Sequence, residues 1–264
     1  MKRVVPGILM ALAWGALLFL GGPRLFWLVV VIGAWIGFGE YLRMTLPDLQ
    51  RSLRIGSQGI SLLPVLLAFF ASATSVLAGV FAALAGLIVL VFVNYTKIED
   101  VLGFLSRVGF GILYIGICAA HLVLVRNLPD GVAWLAVLTA VTIGSDTGAY
   151  YAGRRFGRTK LCPNISPGKT VAGAIGGLAA GSLAAGLTAL LLPSGPGFLH
   201  ALGLGLVLVP VGIVGDLTES IIKRATGSKD SGTILAGHGG LLDRIDSLLL
   251  TAPVLYYLLL GISR

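Results

Sequence analysis

Apolar runs close to the roughly 20 residues that a bilayer-crossing helix needs recur along the whole chain, separated by short polar connections. They are Val4–Gly21, Leu25–Phe38, Ile60–Ser75, Val76–Val93, Val108–Val125, Val132–Tyr151, Val171–Leu192, Leu199–Val214 and Ser247–Ile262. In hydrocarbon a backbone must satisfy its own polar groups, so such runs predict helices. The pattern therefore predicts an all-α integral membrane protein, a polytopic bundle of about nine transmembrane helices. About four fall in an N-terminal region, residues 1–107, and about five in a C-terminal region, residues 108–264. The second run is short and extends through Glu40. Only Ala71–Ser75 separates the third from the fourth, and Thr45–Gly59 reads as a polar connector. Pro210 and Pro253 predict kinks in the last two helices.

Composition supports this class: 56% of residues are hydrophobic and 11% charged, against about 25% charged in soluble domains. The formal charge of +8 would fit a nucleic-acid partner if it formed one patch, but it is dispersed in short connections. Basic residues occupy alternate connections: Lys2 and Arg3, then Arg43, Arg51 and Arg54, then Lys97 and Arg107, then Arg154 to Lys169, then Lys223 to Arg244. Arg24, Arg126 and Arg264 are left for the other side. This bias puts the amino terminus and the most basic connections in the cytoplasm and argues against nucleic-acid binding. Cys118 and Cys162 are far apart and form no metal motif. Lys2-Arg3 precedes an apolar run without a small-residue cleavage site, so the first helix reads as a retained anchor.

Polar residues inside or beside apolar runs carry the chemistry. Glu40 and Arg43, at i and i+3, read as an interfacial ion pair, Lys97, Glu99 and Asp100 as a solvated loop, and His121 and His200 as core or interface histidines. The dense cluster is Gly215–Ser247, with Asp216, Glu219, Asp230, Asp243 and Asp246, five of the chain's 11 acidic residues. If the preceding helix continues, Asp216, Glu219, Ser220 and Lys223 share one face; if the last helix starts near Leu241, Asp243 and Asp246 share another. Two helix ends would then present hard oxygen ligands to one space, which suits Mg²⁺ with substrate phosphates. Lys223, Arg224, Lys229 and Arg244 suit those phosphates, and the glycines of Gly237-His238-Gly239-Gly240 permit close backbone approach.

A second stretch runs from Gly144 to Gly173. Asp146 lies in an apolar run, where a carboxylate is costly unless paired. Ser166-Pro167-Gly168-Lys169-Thr170 precedes an apolar helix that Ser166 or Thr170 would cap, with helix amides and Lys169 offered to phosphate. Arg154, Arg155, Arg158 and Lys160 read mainly as an orientation signal.

The first of these stretches resembles the signature of the phosphatidate cytidylyltransferases. Ser220, Ile222, Lys223, Arg224, Lys229, Asp230, Gly232, Leu235, His238, Gly239, Gly240, Asp243, Arg244, Ile245 and Asp246 match it, and Ala236 departs from it. The second stretch is similar to the family's Asp-x-x-Ala-Tyr and Ser-Pro-Lys-Lys-Thr segments at Asp146, Ala149, Tyr150, Ser166, Pro167, Lys169, Thr170 and Gly173. Gly168 and Ala172 replace a usual Lys and Glu. This resemblance covers about residues 130–264; the earlier part matches only in hydropathy.

The resemblance implies that CTP and phosphatidic acid give CDP-diacylglycerol and pyrophosphate with Mg²⁺, the metal site being open to a second cation. It implies a homodimer in the inner (plasma) membrane, in contact with membrane lipid, with the site at the cytoplasmic ends of the C-terminal helices. Asp216, Asp243 and Asp246 would hold metal, and Lys223 and Arg244 would complete the catalytic set. Asp146, Ser166, Lys169, Thr170, Ser220, Arg224, Lys229, Asp230, His238, Gly239 and Gly240 would bind substrate. Two other readings are a CTP-dependent polyprenol or phytol-type lipid kinase and a cation transporter using Asp146 and Asp216.

Overall fold

The computed structural model describes residues 4–192, 197–234 and 239–262. Eight helical runs among them are long and apolar enough to cross a membrane, and α1 (Val4–Leu20) contributes a shorter apolar helix. The others are α2 (Pro23–Thr45), α3 (Arg51–Ser61) continuing into α4 (Leu63–Leu67) and a 3₁₀ turn to Phe70, and α5 (Ala73–Asn94). Next come α6 (Val101–Gly111), joined through a π-helical stretch at Ile112–Ile117 to α7 (Cys118–Arg126), and α8 (Gly131–Phe156). A hairpin of β1 (Lys160–Cys162) and β2 (Ser166–Thr170) precedes α9 (Val171–Leu191), α10 (Phe198–Ala225) and α11 (Leu242–Ile262). Large apolar side chains such as Phe81, Phe92, Leu102 and Leu199 point outward, as lipid-facing residues do.

The chain divides into two compact units, Met1–Asn127 with Ala225–Arg244, and Leu128–Arg224 with Ile245–Arg264. The first is built on the fully buried Phe26, Phe38, Leu42, Phe104, Ile112 and Leu124. Polar side chains reach backbone carbonyls across it: Trp27 Nε1 donates to Val65 O at 2.9 Å, Tyr41 Oη to Arg107 O at 2.8 Å, and Arg126 Nη2 to Gly21 O at 2.9 Å.

The third span differs from the sequence expectation. It runs from Arg51 to Phe70 rather than Ile60 to Ser75, so most of the expected polar connector is helix. Its polar residues face inward: Ser57, Gln58 and Ser61 are buried while Ile55 is exposed, and Gln58 Nε2 donates to Trp35 O at 3.0 Å. In lipid an amphipathic helix can turn its polar face to the protein, and hydropathy then misreads it as a loop. The break at Leu62 follows from Pro64, which has no N–H to give the carbonyl a turn earlier. Glu40 and Arg43 do not pair; Glu40 is fully buried and bonded elsewhere.

The second unit is a helix stack whose backbones touch. On α8 and α9, Gly144 meets Gly181, Gly148 meets Gly176 and Gly177 packs on Ser145, and a Cβ at Gly148 would lie 2.5 Å from Gly176 O. Small residues at four-residue spacing give helices close contact where hydrophobicity cannot drive association. Gly205 on α10 packs on Ser182 in the same way. Both α10 and α11 are longer than their apolar runs, so each carries polar side chains on rigid helix. The hairpin is an addition to the all-α expectation: Lys160 pairs with Thr170 and Cys162 with Ser166.

Gly148→Val should cost about 1–3 kcal/mol through overpacking, read as a lowered Tm in detergent. Gly203→Ala, with nothing within 4 Å of the new Cβ, should leave Tm unchanged or slightly raised.

Candidate active site

In the second unit, the hairpin and α8, α9, α10 and α11 gather the polar residues. Thr170 caps α9, its Oγ1 accepting from Gly173 N at 3.0 Å, while Val171 N donates to Thr159 O. Those two amides are therefore satisfied within the protein. β2 delivers Lys169 into an ion pair with Asp216 of α10, Nζ to Oδ2 at 2.5 Å. Ser220, one turn on, contributes Oγ to Asp216 Oδ1 at 3.4 Å.

A small cleft of about 40 Å³ lies beside this pair, lined by Asp146, Lys169, Asp216, Ser247 and Thr251 among others. Asp246 is within electrostatic reach of Asp216 and Asp146 and hydrogen-bonded to Glu219. Glu219 is buried and takes Lys223 Nζ at 2.7 Å. Gly215 allows this proximity: a Cβ there would be 2.7 Å from Asp246 O. A larger pocket of about 410 Å³ shares Ala149, Lys169 and Ile213 with the cleft and adds Tyr150, Arg154, Lys160, Gly168 and Thr170. Arg224 supports the hairpin, its Nε donating to Ile165 O at 3.2 Å, and Ser166 sits in β2.

In the first unit, the segment before α11 folds onto Asp243. Asp243 Oδ2 accepts from Ser231 N at 2.9 Å, Ser231 Oγ at 2.9 Å and Gly240 N at 2.8 Å. Gly239 adopts φ +81°, the left-handed region, and a Cβ there would run into Asp243 Oδ2. Lys229, Asp230 and Arg244 are exposed on this unit. Asp243 and Asp246, three residues apart on α11, share a helix face as expected. His238, with Leu235, Ala236 and Gly237, lies outside the described residues.

Among the described residues no three His, Cys, Asp or Glu side chains stand as a ready-made ligand group. The donor chemistry nevertheless fits a hard divalent cation. Asp216, Asp246 and Asp146 carry three carboxylates near one another, and Lys169 is the basic residue lining the cleft.

The cytidylyltransferase family matches residues 1–261. The chain is 34% identical to a Bacillus subtilis phosphatidate cytidylyltransferase, over 98% of its own length and 97% of that protein's. It is 38% identical to one from Pseudomonas aeruginosa over 88% and 84% of the two chains, and 30% identical to one from Synechocystis over 97% and 95%. The chain belongs to the cytidylyltransferase family. The similarity reaches the N-terminal helices, beyond the part where the motifs showed it.

Sequence reasoning missed four participants in these networks. Arg154 and Lys160 sit in a basic run that membrane orientation already explained. Ser231 is a position between fixed motif residues. Glu40 is nearly two hundred residues from its partners. A buried acid inside an apolar run was the available signal for Glu40, and Arg43 at helical spacing masked it.

Gly215→Ala should push α10 and α11 apart by a few tenths of an ångström. Turnover of CTP by the purified protein should fall about tenfold or more, with KM little changed. Gly212→Ala, whose nearest neighbour, Thr251 Cγ2, is at an ordinary 3.6 Å, should leave turnover near wild type.

Proposed function

We propose that this chain is a phosphatidate cytidylyltransferase, joining phosphatidic acid to CTP to give CDP-diacylglycerol and pyrophosphate. The observation that carries the reading is a basic pocket opening beside a carboxylate cleft, with Lys169 in the wall of both. The names of the full-length relatives support the substrates. The side chains of Arg154, Lys160 and Lys169 would bind the phosphate oxygens of the triphosphate. The phosphate of phosphatidic acid is an anionic nucleophile at neutral pH, so the protein has to position two anions and neutralise charge rather than remove a proton. Lys169 is poised to leave Asp216 for substrate phosphate.

Asp216 and Asp246, with Asp146 beside them and Asp243 one turn earlier on α11, would hold Mg²⁺, which when bound stabilises charge developing on the transferring phosphate. Glu219 and Lys223 orient Asp246 from behind. The homodimer rests on the family resemblance alone.

The decisive assay is purified protein with phosphatidic acid and labelled CTP, with and without Mg²⁺. Pyrophosphate and CDP-diacylglycerol should appear only with the metal; release of CDP instead would mark a lipid kinase. Asp216→Asn and Asp246→Asn should each lower turnover at least about a hundredfold. The triple variant with Asp243→Asn should be little worse than the weakest single one, because the three act as a unit.

We place the hairpin between α8 and α9 on the cytoplasmic face, as the basic bias of the connections directs. Asn164→Cys, made with Cys162→Ser, should resist a membrane-impermeant maleimide on intact cells and react after the cells are opened. Labelling from outside would reverse the orientation.

A further inference from the structure

We propose that Glu40, on α2, is a positioning residue for this reaction: it clamps the start of α11 and thereby fixes the Asp243 carboxylate. The inference rests on the reading of Asp243 as part of the catalytic centre. Glu40 has 0% exposure, and among the described residues it has no ion pair. Its partners are backbone: Oε1 accepts from Leu241 N at 3.0 Å and Oε2 from Leu242 N at 2.9 Å. These are amides at the opening of a 21-residue helix, whose own turns cannot satisfy them and whose dipole favours a negative charge. These amides stabilise a carboxylate inside a membrane protein.

The clamp continues to Asp243 through one side chain. Ser231 Oγ is 3.4 Å from Glu40 Oε2 and 2.9 Å from Asp243 Oδ2, and it accepts from Asp243 N at 3.3 Å. The hydroxyl has one proton, and both carboxylates lie within its reach, Asp243 the nearer. Glycines make the space: a Cβ at Gly232 would lie 2.6 Å from Glu40 Oε1, and one at Gly240 2.6 Å from Oε2. Glu40, Ser231 and the α11 amides therefore hold Asp243 from one side, much as outer-shell partners hold a metal ligand elsewhere.

The test uses the full-length protein in detergent. Glu40→Gln keeps the shape but turns an amide donor toward one of the two N–H groups. It should lower kcat by about 10–100-fold, leave KM for CTP within about twofold, and raise the Mg²⁺ concentration for half-activation. Combined with Asp243→Asn it should add almost nothing, because it acts through Asp243. Hydrogen exchange provides a readout apart from activity: the segment Gly239–Ile245 should exchange faster in Glu40→Gln than in wild type, with other helix starts unchanged. Ser231→Ala breaks the link while leaving Glu40 on the α11 amides. It should reproduce the kinetic change with smaller loss of protection, and it carries the test if Glu40→Gln does not fold. A folded Glu40→Gln with wild-type kcat and Mg²⁺ response would overturn the proposal. So would a lower Tm with kinetic losses that add fully to those of Asp243→Asn, since that marks general destabilisation. Wild-type protein that makes no CDP-diacylglycerol would instead overturn the functional reading on which the proposal stands.

Discussion

A carboxylate among apolar helices must be answered by a partner, and the partners this fold supplies determine how the polar parts of the chain are built. Asp216 is met by Lys169, Glu219 by Lys223 and Asp246, and Glu40 by the amides at the head of α11. Each pairing fixes a piece of backbone that would otherwise be loose. The hairpin is held where β2 supplies Lys169, and the segment before α11 is held where Ser231 and Gly240 meet Asp243. The cost of burying charge is thereby converted into order in the polar parts of the chain.

Small residues supply the other half of the design. Lipid tails are as apolar as leucine, so helices in a bilayer associate through close contact rather than through exclusion of water. The stripe on α8 and α9 brings two backbones together, and Gly215 lets α10 approach α11 beside Asp246. Rigid helices then carry Asp216 and Asp246, and the hairpin presents the basic side chains. Rigidity on one side of the pocket and a strand-borne lysine on the other suit a reaction whose main requirement is placing two anions against each other.

Several polar features that look like membrane punctuation turn out to be structural or chemical. Arg54 lies within a transmembrane helix, its Nη2 donating to Pro47 O. Arg154 and Lys160, which read mainly as an orientation signal, line the larger pocket. An orientation signal and a basic pocket wall use the same residue types, so one count of lysines and arginines serves two causes.

The sequence by itself determined the class and the family. Apolar runs of bilayer length admit few structures, and a dense motif such as Ser220 to Asp246 is specific because many positions must agree at once. The face-sharing of Asp216 with Ser220, and of Asp243 with Asp246, followed from helical period alone. What the sequence could not determine depends on groups far apart in the chain or on which way a face turns. Arg51–Ser61 read as a loop because hydropathy counts polarity without direction, and its buried Ser57 and Gln58 show the polar face turned inward. The hairpin was hidden because its strands are too short for a period to show. Glu40 was assigned to Arg43, its neighbour on the helix, because spacing sees only local partners. Only the tertiary structure brings Glu40 to Leu241 and Leu242, and it does so because a helix start has amides that its own helix cannot satisfy.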